Sequence, residues 1–596
     1  MKLLARLVPL SALAVLVWTA VPAPAGAEPS QARLRFKTDH AAEWERMESI
    51  RRGELLPTAV HTIPEAESAV ESSAAKSSTA ESSIGIFAGT NLFALGWSGL
   101  DSGRWSEDSP TGKDTSYTIQ QPSYRNRFAL AHPALEFGVY FGSERFYGTT
   151  SIDFNTDTFT WYSTKQGESG ITGFWNPLDV LSWWIFPETG YLSYADDRVT
   201  LAAGRFPSGI GFGNTNLFLN GQASFYDQIQ FSWRTDKFRF FSMAGTSASH
   251  LNEEEYAVQN MCTQWIDDEG KIRNSWGWDV INNHDASTQT IVPIKFFTYH
   301  RIEFKPASRI GFGVSEMQIV GGKAPELANL LPTVYWHNTY SAGISNVMIL
   351  ADIWIAPVRS LMLWGEYLMD DSKSPAEDEL AKPRSWGWSF GGTFAPPVHV
   401  HDFRFSLSAE YSHVDRWTYN RWQPWLTMYQ RHVLTGGYRS FDTPLGHPEG
   451  GDVDSAELRL VALSRRGARL EVGYSYTAKG PVYLGRIWTG QSKPDGDGDG
   501  NTQTVSIPVY YDFDYWYGRL VGDGKVTLDS LLGSAVKHTH ALSAALSWPL
   551  PHGFEADAGI DIRVIMNAEH IEGKRALETV WKTGLVWRYD KTRNSK

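Results

Sequence analysis

The 596-residue chain contains one cysteine, Cys262, so neither a disulfide framework nor a thiolate metal cluster is available to it. After the first thirty residues no run of about 18 apolar residues occurs, which excludes a bundle of membrane-spanning helices. Basic charge is also scarce: the formal net charge of -12 speaks against nucleic acid as a partner. Neither a G-x-S-x-G elbow nor an H-E-x-x-H pair is present, so catalytic residues are not expected and the chain does not read as an enzyme. The mean hydropathy of -0.31 does not by itself imply a soluble protein, because a transmembrane barrel carries an apolar residue only at every second strand position.

Aromatic residues, by contrast, are plentiful: 25 Trp, 25 Tyr and 30 Phe, a supply suited to girdles at two membrane interfaces. The N-terminus, "MKLLARLVPLSALAVLVWTAVPAPAGAEPS", places Lys2 and Arg6 before an apolar run and Ala25-Gly26-Ala27 after it. It predicts a cleaved secretory signal over residues 1–27 and an exported chain. Residues 28–82 differ in pattern from the remainder of the chain. "DHAAEWERMESIRRGELL" sets Trp44, Met47 and Ile50 at helical spacing, and the Ser-rich "SAVESSAAKSSTAESS" reads as a linker, together a short periplasmic helical segment.

From residue 83 to 596 one pattern recurs. In "HRIEFKPASRIGFGVSEMQIVGG", Ile302 and Phe304 share one face and Arg301, Glu303 and Lys305 the other; beyond Pro306 the alternation resumes at Ile310, Phe312 and Val314. "DFRFSLSAEYS", "RLEVGYSYT", "HALSAALSW" and "FEADAGIDIRV" repeat it, each near the length at which a tilted strand crosses hydrocarbon. Hairpins are predicted near 127–154, 190–206, 225–246, 298–320, 347–369, 385–412, 455–477 and 539–566, with a first strand near 84–97 and a last near 579–589. The sum is an all-β fold: a transmembrane antiparallel barrel of about 18 strands, with short turns at one end and long loops at the other. The C-terminal "KTGLVWRY" resembles the signal read by the barrel-assembly machinery of the outer membrane, although "DKTRNSK" follows its last aromatic. The expected setting is the outer membrane of a Gram-negative bacterium, with its lipid around the barrel.

The inward positions hold charges of both signs: Arg301, Glu303, Asp352, Glu366, Arg404, Glu410, Glu457, Arg459, Glu471, Asp557, Asp561 and Arg563. They can pair across a filled lumen or line an aqueous channel. "PDGDGDGNTQT" offers Asp495, Asp497 and Asp499 as calcium ligands, but Ser506 stands where an EF-hand needs a bidentate Glu; a flexible acidic loop tip is the competing reading, and no other cofactor is expected. The loop clusters "GFWNPLDVLSWWIF" and "RWTYNRWQPWLTMYQRH" set aromatic rings beside Arg, Asp and His, a composition that suits sugar rings as well as membrane anchoring. Trp422 and Trp425, well inside the second, are the candidates for stacking on polysaccharide.

Four stretches, "GRFPSGIGFGNTNLFLNGQASFYDQIQFS", "HRIEFKPASRIGFGVSEMQIVGGKAPELANLLPTVYWHN", "LADIWIAPVRSLMLWGEYLMDD" and "MYQRHVLTGGYRSFDTPLGHPEGGDVDSAEL", resemble the capsule assembly Wzi family over about residues 190–476. The resemblance implies an 18-stranded outer-membrane barrel, closed by its own loops and an N-terminal helical region, that tethers capsular polysaccharide as a lectin. Carried over by position, Tyr429, Arg431, His432, Tyr438 and His447 face the outside or the barrel mouth, with Tyr438 and Arg439 placed to contact glycan. The stretch "GGYRSFDTPLGH" can instead pack loops over the lumen. A porin-type diffusion channel for small solutes is the alternative function.

Overall fold

In a computed structural model, residues 40–54, 83–98, 105–107, 117–119, 135–143, 145–156, 170–173, 181–182, 189–221, 225–247, 264–266, 272–274, 294–321, 325–338, 345–371, 385–420, 426–434, 439–480, 491–492, 504–505 and 535–594 are described. The barrel strands are β1 (Ser83–Ser98), β2 (Leu135–Gly142), β3 (Phe146–Thr156), β4 (Gly190–Ala195), β5 (Val199–Phe206) and β6 (Tyr226–Arg234). They continue as β7 (Phe238–Ser247), β8 (Lys295–Ala307), β9 (Ile310–Gly321), β10 (Ser345–Val358), β11 (Leu361–Asp371) and β12 (Ser385–Phe394). The last six are β13 (Phe403–Val414), β14 (Val453–Ser464), β15 (Arg469–Lys479), β16 (Lys537–Pro549), β17 (Phe554–Met566) and β18 (Arg575–Asn594).

Each of these eighteen strands pairs antiparallel with the next, and the 21-stranded sheet owes its other members to three short additions, Gly170–Gly173, Leu181–Ser182 and His399–Val400. β18 returns to β1 from Ser83↔Asn594 to Ser98↔Thr579, so no edge is left for lipid to strand unpaired. The last strand is longer than the expected 579–589. The residues after Tyr589 continue the ladder as far as Asn594, because β1 offers partners down to Ser83.

Alternation follows the solvent on each face. Along β8, Arg301 and Glu303 are buried while Ile302 and Phe304 are each 48% exposed. Leu470, Val472, Ile560, Ile562 and Val564 likewise point outward and are exposed, as a lipid-facing wall requires. Outward aromatics gather near the short turns, where Phe403 meets Trp548, Phe554 meets Trp587 and Phe146 meets Tyr194. A second group, Trp388, Phe390, Tyr411 and His413, lies nearer the loops. These are two girdles.

A 13-residue helix, α1 (His40–Arg52), sits inside the barrel at the short-turn end. Met47 and Ile50 are buried with Trp44 packed beside them, Glu43 lies in the first turn, and Arg51 and Arg52 lie in the last, each sign matched to the helix dipole. Gly53, at φ +76, ends the helix; its amide bonds to the Ile50 carbonyl at 2.9 Å. The Ser360 amide of the β10–β11 turn reaches the same carbonyl at 2.9 Å. The predicted helix is therefore a plug fastened to the barrel wall.

Candidate functional site

Inside the barrel, the segment between β5 and β6 turns inward rather than outward. Residues 207–221 form an inner loop closed by a short ladder of Gly209–Ile210 against Leu219–Asn220. Leu217, Phe218 and Leu219 are fully buried, in one apolar cluster with Met47 and Ile50 of α1 and with Tyr226, Phe241, Tyr299, Met317, Trp354, Met362 and Leu463 of the wall. The mixed-charge lumen expected from the alternation is thus only half of the picture. From β6 to β14 the inner wall adds apolar packing to its buried charges, because chain that enters the lumen brings its own greasy surface with it.

Three wall carboxylates hold this loop. Glu410 accepts the amides of Asn214 and Thr215 at 2.8 Å each and the Thr215 hydroxyl. Glu457 accepts the Asn214 side-chain amide at 2.7 Å, and Glu366 accepts the Leu217 amide at 3.3 Å. Glycine makes this approach possible: a Cβ on Gly213 would lie 2.3 Å from a Glu410 oxygen. From the other side, Arg46 of α1 donates to the Phe212 carbonyl at 2.7 Å. Burial, assisted by the neighbouring Arg459, lowers the Arg46 guanidinium to about 10, which leaves it charged at neutral pH. Plug and inner loop are one packed unit.

The loop after β13 lies over this unit. Tyr419, held at φ 73, donates its hydroxyl to the Leu217 carbonyl at 2.7 Å, while its own amide reaches Asp370 at 2.8 Å. A non-glycine residue in that conformation costs of order 1–3 kcal/mol, so the contacts on both sides over-determine it. The Asn220 amide bonds to Leu445 at 2.9 Å, and its side chain donates to Pro444 and Gly446. Lys295 donates to the Thr427 carbonyl at 2.6 Å and lies 3.7 Å from the Tyr429 ring centre. Above, Tyr429–Leu434 and Arg439–Pro444 form a hairpin whose second strand pairs in parallel with Tyr117–Ile119, which in turn pairs with Trp105–Glu107. Two distant loops are stitched into one four-stranded cap.

Tyr429, Arg431 and His447, expected at the glycan-facing surface, lie in the interior, each 1% exposed. Arg431 stacks 4.7 Å from the Tyr429 ring. The Glu449 amide donates to Nδ1 of His447, so Nε2 carries the proton and serves Ser412 at 2.9 Å and Ser455 at 3.2 Å. His447 thereby ties the cap to the wall strands β13 and β14, and Tyr429 ties it to the wall through Lys295 and Ser247. Arg439 and His432 occupy cap strands whose side chains are not described, and Trp422, Trp425, Tyr438, Asp495, Asp497 and Asp499 lie outside the described residues. Among the described residues, no group of three His, Cys, Asp or Glu is arranged to hold a metal ion.

The profile of the capsule assembly protein Wzi family matches residues 255–568. The chain belongs to the Wzi family. No curated protein matches it. Among solved structures, it is similar to Wzi of Escherichia coli, described as an outer-membrane protein involved in group 1 capsule assembly and a carbohydrate-binding β-barrel. Identity is 10% over 92% of this chain and 98% of that one, with a TM-score of 0.46. Acinetobacter baumannii OccAB4 shares 8% identity over 86% of this chain and 98% of that one (TM-score 0.36), and Pseudomonas aeruginosa OccD3 shares 9% over 85% and 91% (TM-score 0.34). At such identities and scores these likenesses carry no functional weight, and the family assignment rests on the profile.

The inner loop is the structural element that periodicity missed. "FPSGIGFGNTNLFLNG" alternates too little to read as a strand and carries no charge, so only its three closely spaced glycines, Gly209, Gly211 and Gly213, signalled that other groups approach its backbone.

Proposed function

We propose that this Wzi-family barrel is a noncatalytic outer-membrane lectin that holds capsular or a related surface polysaccharide at its loop end during capsule assembly. The observation that carries the reading, beside the family, is the packed interior: α1, the inner loop and the cap occupy the lumen along β6 to β14, which suits a binding platform better than an open pore. In this reading, Trp422, Trp425, His432, Tyr438 and Arg439 present stacking faces and hydrogen-bond donors to sugar rings. Tyr429, Arg431 and His447 support them from below. Many weak contacts along a repetitive polymer add to firm retention. Export through a cleaved signal, insertion by the barrel-assembly machinery and calcium at the acidic loop belong to the same proposal.

The test is surface retention of polysaccharide by cells that express the Trp422→Ala, Trp425→Ala double variant. Loss of retention with normal barrel assembly supports the lectin; unchanged retention removes these residues from the site. A diffusion channel predicts instead large steady conductance of the full-length protein in planar bilayers.

A further inference from the structure

One connection lies on the outside of the barrel. Beyond β9, residues 325–338 fold back over the outer wall of β8, β9 and β10. On β9 the outward positions run Ile310, Phe312 and Val314, all lipid-suited, and then Glu316 and Gln318. On β8 the matching series is Phe304, Ile302 and then His300. The only register shift in this hairpin lies at its turn, between Phe304 and Ala307, so all these side chains share the outer face.

A tilted strand needs about 9–11 residues to cross hydrocarbon. Counted from Ile310, the crossing extends through Glu316 and Gln318, which would set a carboxylate, an amide and an imidazole against acyl chains. The returning segment covers them instead. Glu316 accepts the amides of Trp336 at 2.8 Å and His337 at 2.6 Å and pairs with His300 at 3.0 Å. The Trp336 ring stacks on His300 at 4.2 Å, and Asn329 donates to Gln318 at 3.2 Å. As a result Glu316, Gln318 and Trp336 are all buried on the outer face of a barrel. The surface turned outward in their place is apolar: Leu327 is 72% exposed, Leu330 44%, Leu331 40% and Tyr335 52%. Glu326 is the one charged residue in residues 325–336.

We infer that residues 325–338 form a flap embedded in the outer leaflet, where Leu327, Leu330 and Leu331 contact lipid acyl chains in place of the barrel wall. The occupant is assigned by continuity, since this apolar patch extends the lipid-facing belt of Ile310, Phe312 and Val314 at the height where the wall itself turns polar. The inference rests on the transmembrane-barrel reading. The flap thereby links the bilayer to the β9–β10 connection at the loop end, and it gives the family stretch "APELANLLPTVYWHN" a task distinct from glycan contact.

The test uses full-length protein with Cys262→Ser and one added cysteine, Leu330→Cys on the flap, Val314→Cys on the wall or Glu572→Cys in the exposed β17–β18 connection. Each variant is labelled with bimane and reconstituted in vesicles with or without acyl-chain-brominated phospholipid. The flap label is expected to lose fluorescence to bromine as the wall label does and to resist iodide, while the Glu572→Cys label shows the reverse. Iodide quenching without bromine quenching at Leu330→Cys overturns the flap. Protection from both quenchers also overturns it, and names a second copy or a protein partner as the occupant. Failure of bromine to quench Val314→Cys would fault the barrel reading itself, a result separable from either of the others.

Discussion

The inner wall from β6 to β14 carries Tyr226, Phe241, Tyr299, Met317 and Trp354 packed on inserted chain, whereas the wall through β15, β17 and β18 carries Glu471, Glu555, Asp557, Asp561, Arg563, Glu578 and Lys582. Their outer faces are alike: Ile302 and Val314 on one, Leu470 and Ile560 on the other, all exposed. Lipid imposes the same demand all the way round, so the outer pattern is uniform. The inner pattern instead depends on whatever the lumen contains at that point. Where α1 and the inner loop fill it, apolar side chains are needed and buried charges are held by partners, as Glu410 is by the amides of Asn214 and Thr215. Along β17 and β18, where no such unit packs among the described residues, polar side chains pair with one another, as Arg563 does with Asp561 and Arg588 with Glu555.

The sharpest way to break this contrast is to remove an arginine from each wall. Arg301, 0% exposed, pairs with Glu303 at 2.8 Å and with Asp352, itself nearly buried. Arg301→Met is expected to cost about 3–5 kcal/mol by stranding two carboxylates. Arg588, 43% exposed and 3.3 Å from Glu555, is expected to yield roughly 0–1 kcal/mol in Arg588→Met. Urea unfolding in the same lipid gives both values, and equal losses would erase the distinction between the walls.

Next in size, Met47→Ala and Ile50→Ala each remove a side chain that α1 buries in the cluster, at about 2–5 kcal/mol apiece. The loss is expected in plug docking rather than in the barrel ladder, so protease should cut at Arg51 or Arg52 while the β-sheet signal of circular dichroism holds. Gly213→Val sets a side chain where Glu410 lies and is expected to cost about 1–3 kcal/mol. If the inner loop closes the filled wall, conductance across planar bilayers should rise in this variant and stay low in the native protein.

The smallest effect is one of pH. Burial works against ionisation of Glu48, but its hydrogen bond to Arg51 and the charges of Arg51 and Arg404 outweigh it and hold the carboxyl below its usual range. An acid so depressed stabilises the docked helix above its free pKa of about 4.3, and loses that contribution as pH falls through the lowered value. Protease sensitivity of α1 should therefore increase in acid below about pH 4, and Glu48→Gln should flatten that response.

Much of the barrel was legible in advance because its rule is local. Alternation in "HRIEFKPASRIGFGV" located β8 and β9 and named their faces, and the 190–206 and 225–246 hairpins fall within a residue or so of β4 to β7. Trp44, Met47 and Ile50 marked α1 by spacing. Less legible was where α1 docks, since Arg404 and Arg469, its partners on the wall, lie hundreds of residues away and have no local reason to meet Glu48 and Glu43. The candidate site was read least well. Tyr429, Arg431 and His447 looked like surface ligands because aromatic, guanidinium and imidazole groups suit both sugars and a satisfied core.

By itself, the sequence determined an antiparallel barrel with lipid outside, an even strand number and a helix ahead of it, because a period of two and the need to pair every backbone group leave few other solutions. The tertiary structure decided which loop turns inward, which wall it fills, how two remote loops form one cap and which outer face is covered by a flap. Those outcomes depend on contacts between segments far apart in the chain, where a glycine such as Gly213 and a carboxylate such as Glu410 acquire meaning only when the fold brings them together.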